Sequence, residues 1–330
     1  MNYRSVAELN EEVRGLGQTL AKDVDLVVGI PRSGLLVSNL LCLYLDRPMT
    51  DVDGLAGGRV MSTGNRYDDG ERFEDVERAV IVDDSVDTGR QMEATQDRVA
   101  DLDLPFEVEY AAAYVTPGGH RYVDHYGEVV QKPRIFEWNL MHHPMISNFC
   151  VDIDGVLCRD PTRLENDDGD GYREFLETVT PTVVPSEPIG WLVTCRLEKY
   201  RDATEAWLAR HGIEYENLVM MDHPSKEARQ RAGDHAEFKT EVYRETGADL
   251  FVESSAGQAA AISEATGRPV FCYDENRMLQ PDSLSRARQQ GGEYLSRFRD
   301  DPVGFSLLAG RHVLRESYYR ARLAAREYRG

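Results

Sequence analysis

The sequence places two adjacent carboxylates, Asp83 and Asp84, directly after the apolar run 79–82. Paired acids at the end of a strand can hold the vicinal hydroxyls of a ribose. The Thr88-Gly89 turn that follows offers backbone N–H groups to a phosphate if it opens a helix. Two acids after a strand also suit a helix N-cap, and that simpler interpretation stays open. The complete run predicts a site for a phosphorylated sugar.

A second carboxylate pair, Asp152 and Asp154, follows the apolar run 149–151 and precedes Gly155. Alternation along a strand would send both side chains to the same side. One carboxylate can attack a phosphorus atom while the other handles the proton of the leaving group, and a divalent cation keeps the two charges from repelling each other. A calcium loop or a solvated turn also fits a bare Asp-x-Asp, but the apolar run before it argues against both.

The first stretch, residues 79–92, resembles the ribose-phosphate signature of type I phosphoribosyltransferases, and the upstream run 28–34 resembles the pyrophosphate loop of that family. The resemblance implies that the two acids bind the ribose of phosphoribosyl pyrophosphate (PRPP), and that Arg32 and Ser33 contact the leaving pyrophosphate. The phosphate loop that it implies contains Thr88, Gly89, Arg90 and Gln91. Residues 54–72 take the position of the family's mobile loop, with Arg59, Ser62 and Arg66 as candidates to cover the substrate.

The acceptor end of this first site matches the family less closely. Asp87 is the candidate base for the attacking nitrogen, by its similarity to the purine-salvage branch, and a cap on the following helix is the alternative. That branch carries a lysine shortly after the next strand, whereas the segment 114–117 offers none. Trp138 stands where the family's hood stacks an aromatic ring on the nucleobase, and a packed core tryptophan is equally compatible.

The second stretch resembles the first motif of haloacid-dehalogenase (HAD)-type phosphatases, and the later motifs follow in order at 193–196 and 248–254. The resemblance implies that Asp152 attacks phosphorus and that Asp154 protonates the leaving alcohol. The other implied site residues are Thr194 and Lys239 for the phosphoryl group, and Asp152, Glu253 and the backbone of Asp154 for Mg²⁺. Lys226 competes with Lys239 for its role. Residues 159–172 are the candidate for a small cap.

The formal net charge is −20, with 58 acidic against 38 basic residues. Such a surface argues against nucleic-acid binding and indicates a halophilic protein, with an acidic mesophilic enzyme as the alternative. No apolar run reaches the roughly 20 residues of a membrane-spanning helix, so no membrane partner is expected. The five scattered cysteines and the N-terminal residues fit a cytoplasmic protein in a reducing compartment.

Short apolar runs alternate with helical stretches along the chain, which predicts the α/β class with two doubly wound parallel sheets. We place a phosphoribosyltransferase-like domain at 1–146, a HAD-like Rossmannoid hydrolase domain at 147–284 and a basic helical tail at 285–330. The tail is expected to dock on the acidic body or to support a homo-oligomer.

The resemblances together imply a bifunctional, Mg²⁺-dependent enzyme of nucleotide or ribosyl metabolism. One half would transfer phosphoribosyl from PRPP to a nucleobase or similar acceptor, and the other would hydrolyse a phosphate monoester through an aspartyl-phosphate. Two alternatives stay open. The first half is then either a PRPP or nucleotide sensor without turnover that regulates the phosphatase, or part of a sugar-phosphate enzyme of glycan assembly.

Overall fold

The computed structural model describes residues 1–20, 24–61, 73 and 76–280. The strands of its first part are β1 (Asn2–Arg4), β2 (Leu26–Gly29), β3 (Met49–Asp51), β4 (Arg78–Val86), β5 (Glu107–Val115), β6 (His125–Val129) and β7 (Arg134–Phe136). The helices are α1 (Val6–Thr19), α2 (Gly34–Leu45), α3 (Val52–Ala56) and α4 (Arg90–Ala100). Short 3-10 helices lie at Gly119–Tyr122, Glu137–His142 and Pro144–Asn148.

A five-stranded sheet organises this first part, with parallel strands in the order β3-β2-β4-β5-β6. Alternate side chains of β4 pack into two separate cores, because successive side chains of a strand point to opposite faces. Val80 and Val82 pack toward α1 and α2, whereas Ala79 and Ile81 pack toward α3 and α4. Helices therefore cover both faces, and the winding of the sheet reverses between β2 and β4.

The second part of the chain repeats this alternation of strands and helices. Its strands are β8 (Phe149–Val151), β9 (Ile189–Leu197), β10 (Tyr215–Met221), β11 (Leu250–Glu253), β12 (Val270–Cys272) and β13 (Arg277–Leu279). Its helices are α5 (Asp170–Thr178), α6 (Arg201–Arg210), α7 (Lys226–Ala232), α8 (His235–Thr246) and α9 (Ala256–Thr266), with a 3-10 turn at Glu198–Tyr200.

A six-stranded sheet organises the second part, in the order β10-β9-β8-β11-β12-β13, with only β13 antiparallel to its neighbour. The winding reverses between β8 and β11. Val151 and Val252 face one core, whereas Cys150 and Phe251 face another together with Tyr243 of α8. In such open sheets the crevice at the reversal point, beyond the carboxyl ends of the strands, is the usual place for a ligand.

A small parallel sheet of β1 and β7 lies between the two larger sheets. Ile135 of β7 packs in the same core as Val151, whereas the next residue, Phe136, packs in a core of the first sheet. The ring of Tyr3 in β1 lies 5.3 Å from that of Phe271 in β12. The two halves of the chain thus share a buried boundary.

The predicted α/β class with parallel sheets is confirmed by this topology. The predicted tail at 285–330 and the loop candidates Ser62 and Arg66 lie outside the described residues, whereas Arg59 is described and exposed. Among the described residues, no helix is both long and apolar enough to cross a membrane.

Candidate functional site

The first candidate site lies where the winding of the five-stranded sheet reverses. The loop after β2 carries Arg32 and Ser33, and the peptide bond between Pro31 and Arg32 is cis. This loop runs directly into α2, and a Cβ atom on Gly34 would lie 2.7 Å from the carbonyl oxygen of Val82 in β4. Glycine at this position therefore lets the start of α2 approach the strand that carries the paired acids.

Asp84 connects three elements of this site. Its Oδ1 accepts a hydrogen bond of 2.8 Å from Ser33 Oγ, and its Oδ2 accepts one of 2.7 Å from Trp138 Nε1. Pleat alternation explains the second contact, because Asp84 points to the same face of β4 as Val82, where Trp138 packs. The Trp138 ring stacks on Phe136 with centroids 4.8 Å apart. Trp138 is thus half-buried against the core, and its indole N–H reaches the site.

Asp83 points to the opposite face of the strand and is more isolated. The two acids are 8% and 6% exposed, and they lie inside β4 rather than after its end, because β4 continues beside β5 to Val86. Burial, then the charge of Asp84, raise the pKa of Asp83 well above its ordinary value. Neither acid caps α4, whose N-cap residue is Gly89. The helix-cap interpretation of the pair is therefore wrong.

The loop after β4 presents exposed Thr88, Arg90 and Gln91 at the start of α4. Gly89 has φ +80°, and a Cβ atom there would lie 2.4 Å from the ring of Tyr122. Only glycine fits that conformation and that contact. The first N–H groups of a helix lack partners within it and are able to bind an anion, so the start of α4 stays the candidate for the predicted phosphate site.

Asp87 is not a helix cap, because its carboxylate instead forms an ion pair of 2.6 Å with Lys132. Lys132 follows β6, one strand later than the family pattern places a lysine. Arg134, two residues further along, is buried near the same carboxylate. Neither cation was predicted from the sequence, because Arg134 begins β7 and Lys132 lies just before it, and this three-residue strand has no periodic signal of its own.

The second candidate site lies where the winding of the six-stranded sheet reverses. Lys239 Nζ lies 2.6 Å from Asp152 Oδ2 and 2.6 Å from Glu253 Oε2, and the three residues are at most 5% exposed. The three side chains meet because alternate residues of a strand share a face. Asp152 follows the face of Cys150, Glu253 lies on the same face as Phe251, and both faces point toward α8. Lys239 lies inside α8, which begins at His235.

The charges of this buried cluster compete. Burial raises the pKa of Asp152 to about 7, with the charge of Glu253 adding to the shift and that of Lys239 opposing it. Burial lowers the pKa of Lys239, but the charges of Asp152 and Glu253 outweigh that effect and raise it above its ordinary value. The Lys239 ammonium thus forms ion pairs with two buried carboxylates.

Asp154 pairs with Arg196. The Arg196 guanidinium is fully buried, and its Nη2 lies 2.6 Å from Asp154 Oδ1 while its Nε contacts both carboxylate oxygens. Asp152 and Asp154, which strand alternation would send the same way, bond different partners, Lys239 and Arg196, and β8 ends at Val151 before both acids. Arg196 belongs to the predicted motif at 193–196, but its role as the partner of Asp154 was not predicted.

The remaining predicted residues lie around this pair. Thr194 is fully buried, and its Oγ1 accepts a 3.2 Å hydrogen bond from the Arg196 backbone N–H. Lys226 Nζ bonds the backbone of Asn166, whereas Lys239 Nζ bonds Asp152, so Lys239 is the better candidate for the predicted phosphoryl contact. The candidate cap is anchored by Asp168, which accepts hydrogen bonds from Lys199 and Tyr200.

The oxygen donors near Glu253 fit Mg²⁺ by their chemistry. Ser254 Oγ lies 3.4 Å from the Asp154 carbonyl oxygen and 3.5 Å from Glu253 Oε1, so these two oxygens face a common hydroxyl. Lys239 brings the Asp152 carboxylate to the same place. Within the described part of the chain, no three His, Cys, Asp or Glu side chains form a ready metal cluster. The third ligand that the resemblance implies is the carbonyl of Asp154, which lies on this side of the site beside Ser254.

No protein-family model matches the chain, and no curated protein matches it. Among solved structures, it is similar to the purine phosphoribosyltransferase from Pyrococcus horikoshii Ot3, at 25% identity and a TM-score of 0.31, over 42% of this chain and 92% of that one. The Helicobacter pylori xanthine-guanine-hypoxanthine phosphoribosyltransferase matches at 14% identity and a TM-score of 0.33, over 42% and 92%. A hypothetical protein from Neisseria gonorrhoeae with bound ppGpp matches at 15% identity and 0.31, over 42% and 89%.

Proposed function

We propose that the first part of the chain transfers the phosphoribosyl group of PRPP to a nucleobase or similar acceptor. The observation that carries this proposal is the contact between two motifs that the sequence predicts separately, since Ser33 Oγ of the loop after β2 lies 2.8 Å from Asp84 Oδ1 of β4. Both motifs lie at the reversal point of the sheet, where open α/β sheets bind ligands. The exposed turn at the start of α4 adds an anion site for the 5′-phosphate.

In the proposed reaction, the bond from ribose C1 to the pyrophosphate oxygen breaks and a bond from C1 to a ring nitrogen of the acceptor forms. Arg32 and Ser33 bind the departing pyrophosphate, and the paired acids Asp83 and Asp84 hold the ribose hydroxyls. Asp87 receives the proton that the attacking nitrogen loses. Lys132 must then move aside from Asp87, which its 61% exposed side chain permits.

Asp87→Asn is expected to lower kcat/KM for transfer by about 10²-fold to 10⁴-fold, because the amide cannot take a proton. The measurement is pyrophosphate release from PRPP and Mg²⁺ with a panel of bases. Asp97→Asn, an exposed acid on α4, is the matched control. Equal activity of Asp87→Asn and wild type contradicts the assignment. No release with any base overturns transfer itself, and tight PRPP binding in that case supports the sensor alternative.

We also propose that the second part of the chain is a HAD-type phosphatase, and a separate observation supports this. Asp152 is a buried carboxylate bonded to an ammonium at a strand end, which suits a nucleophile that attacks a phosphorus atom. Thr194 and Lys239 bind the phosphoryl oxygens. Arg196 orients Asp154, which gives a proton to the leaving alcohol and later takes one from the attacking water.

Asp152, Glu253 and the carbonyl of Asp154 would hold Mg²⁺ in this site, where the ion offsets the charge of the phosphoryl group. The residues of the chain carry out the attack and the proton transfers. A bond forms between Asp152 Oδ and phosphorus while the ester bond breaks, and water then hydrolyses the acyl phosphate. With both halves active, the chain would join ribosyl transfer to phosphate removal.

The raised pKa of Asp152 predicts a pH-dependent stability in the absence of metal. Because the folded-state pKa lies above the unfolded value, the protonated carboxyl stabilises the fold at low pH, and this stabilisation is lost as pH rises through about 7. Asp152→Asn removes the effect. The free energy of unfolding of the variant, relative to wild type in EDTA, is therefore expected to rise by about 2 kcal/mol between about pH 5 and about pH 8.

Chemical denaturation at both pH values measures this difference. Asp202→Asn, which changes an exposed acid on α6, is the control. Its free energy of unfolding relative to wild type is expected to be the same at both pH values. Saturating Mg²⁺ should stabilise wild type over Asp152→Asn at the higher pH. A difference that falls with pH would contradict the buried environment of Asp152.

A further inference from the structure

Arg134 is a buried arginine at the acceptor end of the first site. Its side chain is 9% exposed, and its Nη1 is buried without a hydrogen-bond partner among the described residues. The guanidinium carbon lies 5.3 Å from the centre of the Phe136 ring. Arg134 and Phe136 stand two residues apart in β7, so both face the first sheet, whereas Ile135 between them faces the second.

The carboxylates nearest Arg134 are engaged elsewhere. Both oxygens of Asp84 accept hydrogen bonds from Ser33 and Trp138, and Asp87 pairs with Lys132. Burial lowers the pKa of Arg134, and the charges of Asp87 and Asp84 oppose that shift, so both carboxylates lie close to its guanidinium. Burying a charge without a bonded partner is costly. A ligand oxygen is a partner that would offset this cost.

Lys132 adds a second cation beside Arg134. Its side chain is 61% exposed and lies on the open side of Asp87, 2.6 Å from the carboxylate. Arg134 and Lys132 thus lie near Asp87, while Asp84, which also lies near Arg134, has both oxygens bonded to Ser33 and Trp138. An acceptor that uses Asp87 as its base leaves both cations in need of negative charge.

We propose that Arg134 and Lys132 select an acceptor with a negatively charged oxygen, either a heterocyclic carboxylate or an ionised ring oxo group. This rests on the proposed phosphoribosyl transfer and names the acceptor class for it. Arg134 provides the fixed, buried donor, because its planar guanidinium suits two oxygens at once. Lys132 provides the mobile donor that leaves Asp87 when the acceptor enters.

The test compares matched acceptors that differ in charge and whose attacking nitrogen can lose a proton: xanthine with hypoxanthine, and orotate with uracil, at a pH where xanthine is ionised. Pyrophosphate release from PRPP and Mg²⁺ is measured with the full chain. The anionic member of at least one pair is expected to have a kcat/KM higher by about tenfold or more. A smaller preference in every pair overturns the inference and leaves transfer itself intact. No release with any acceptor overturns the proposed transfer.

Variants assign the preference to these two cations. Arg134→Met and Lys132→Met are each expected to raise KM for the anionic acceptor by about tenfold and to change kcat and the KM for PRPP far less. Arg134→Lys should recover part of the loss. Arg14→Met, an exposed arginine on α1, is the control for a lost positive charge. If Arg134→Met does not fold, the exposed Lys132 carries the test. An unchanged acceptor preference in Lys132→Met, and in Arg134→Met where it folds, overturns the inference.

Discussion

Asp152→Asn is expected to lower phosphate release, from a phosphate monoester that the wild type hydrolyses, by at least about 10³-fold, because the amide cannot form the acyl phosphate. The surrounding structure should be retained. The amide has nearly the same shape, and Asp152 Oδ1, which accepts a 2.8 Å hydrogen bond from the backbone N–H of Ile153, has a matching amide oxygen. A phosphate-release screen of wild type and variant over nucleotides and sugar phosphates makes the measurement.

The screen separates the two carboxylates of the motif. With substrates whose leaving group needs no proton, such as an aryl phosphate, Asp154→Asn is expected to lose less phosphatase activity than Asp152→Asn. Only the acid step is removed in Asp154→Asn. Asp202→Asn is the control. Phosphate release that survives in Asp152→Asn does not come from the proposed nucleophile, and such a result would remove the phosphatase assignment.

Lys239→Met is expected to destabilise the fold by about 3–5 kcal/mol, since it leaves two buried carboxylates without their shared ammonium. Lys239 is 2% exposed and Glu253 is fully buried, so water cannot replace the lost contacts. Thermal and denaturant unfolding measure the loss. Lys226→Met, at the start of α7, is the matched lysine control and should lose far less stability.

A second substitution tests the cause. Lys239→Met combined with Glu253→Gln removes one of the two uncompensated charges, and it is expected to recover part of the lost stability. Additive losses in the double variant would show that Lys239 stabilises through packing rather than charge. Lowering the pH should also stabilise Lys239→Met relative to wild type, because protonation neutralises the carboxylates that the lysine no longer pairs.

The strands that carry the paired acids could be predicted because uninterrupted apolar runs, 79–82 and 149–151, directly precede the acids. The hydrogen bond from Ser33 to Asp84 was not predicted, although parallel strands bring their carboxyl ends to one edge of a sheet. The contact of Trp138 with Asp84 was not predicted either, because it depends on β7, whose three residues begin with a charged arginine and form no such run. Lys132 and Arg134 were missed for the same reason. Short strands are set by tertiary packing, which local sequence does not record.

In the second site, the sequence identified Asp152, Lys239 and Glu253 as residue types but left their distances open. The structure supplies the 2.6 Å contacts, which depend on which face of each strand meets α8. Asp154 shows the limit of such reasoning. Its side chain turns toward Arg196 because the strand ends one residue before Asp152, and strand boundaries are what sequence patterns define least well.

The boundary strand β7 has a consequence for the history of this chain. Ile135 belongs to the apolar interior of the six-stranded half, and the ring of Tyr3 from β1 packs on Phe271 there, although both residues come from the other half. A gene fragment that starts after this strand would encode a protein with a hole in its interior. Recombination that exchanged either half alone would therefore be selected against, and the two halves are expected to be inherited and to diverge together.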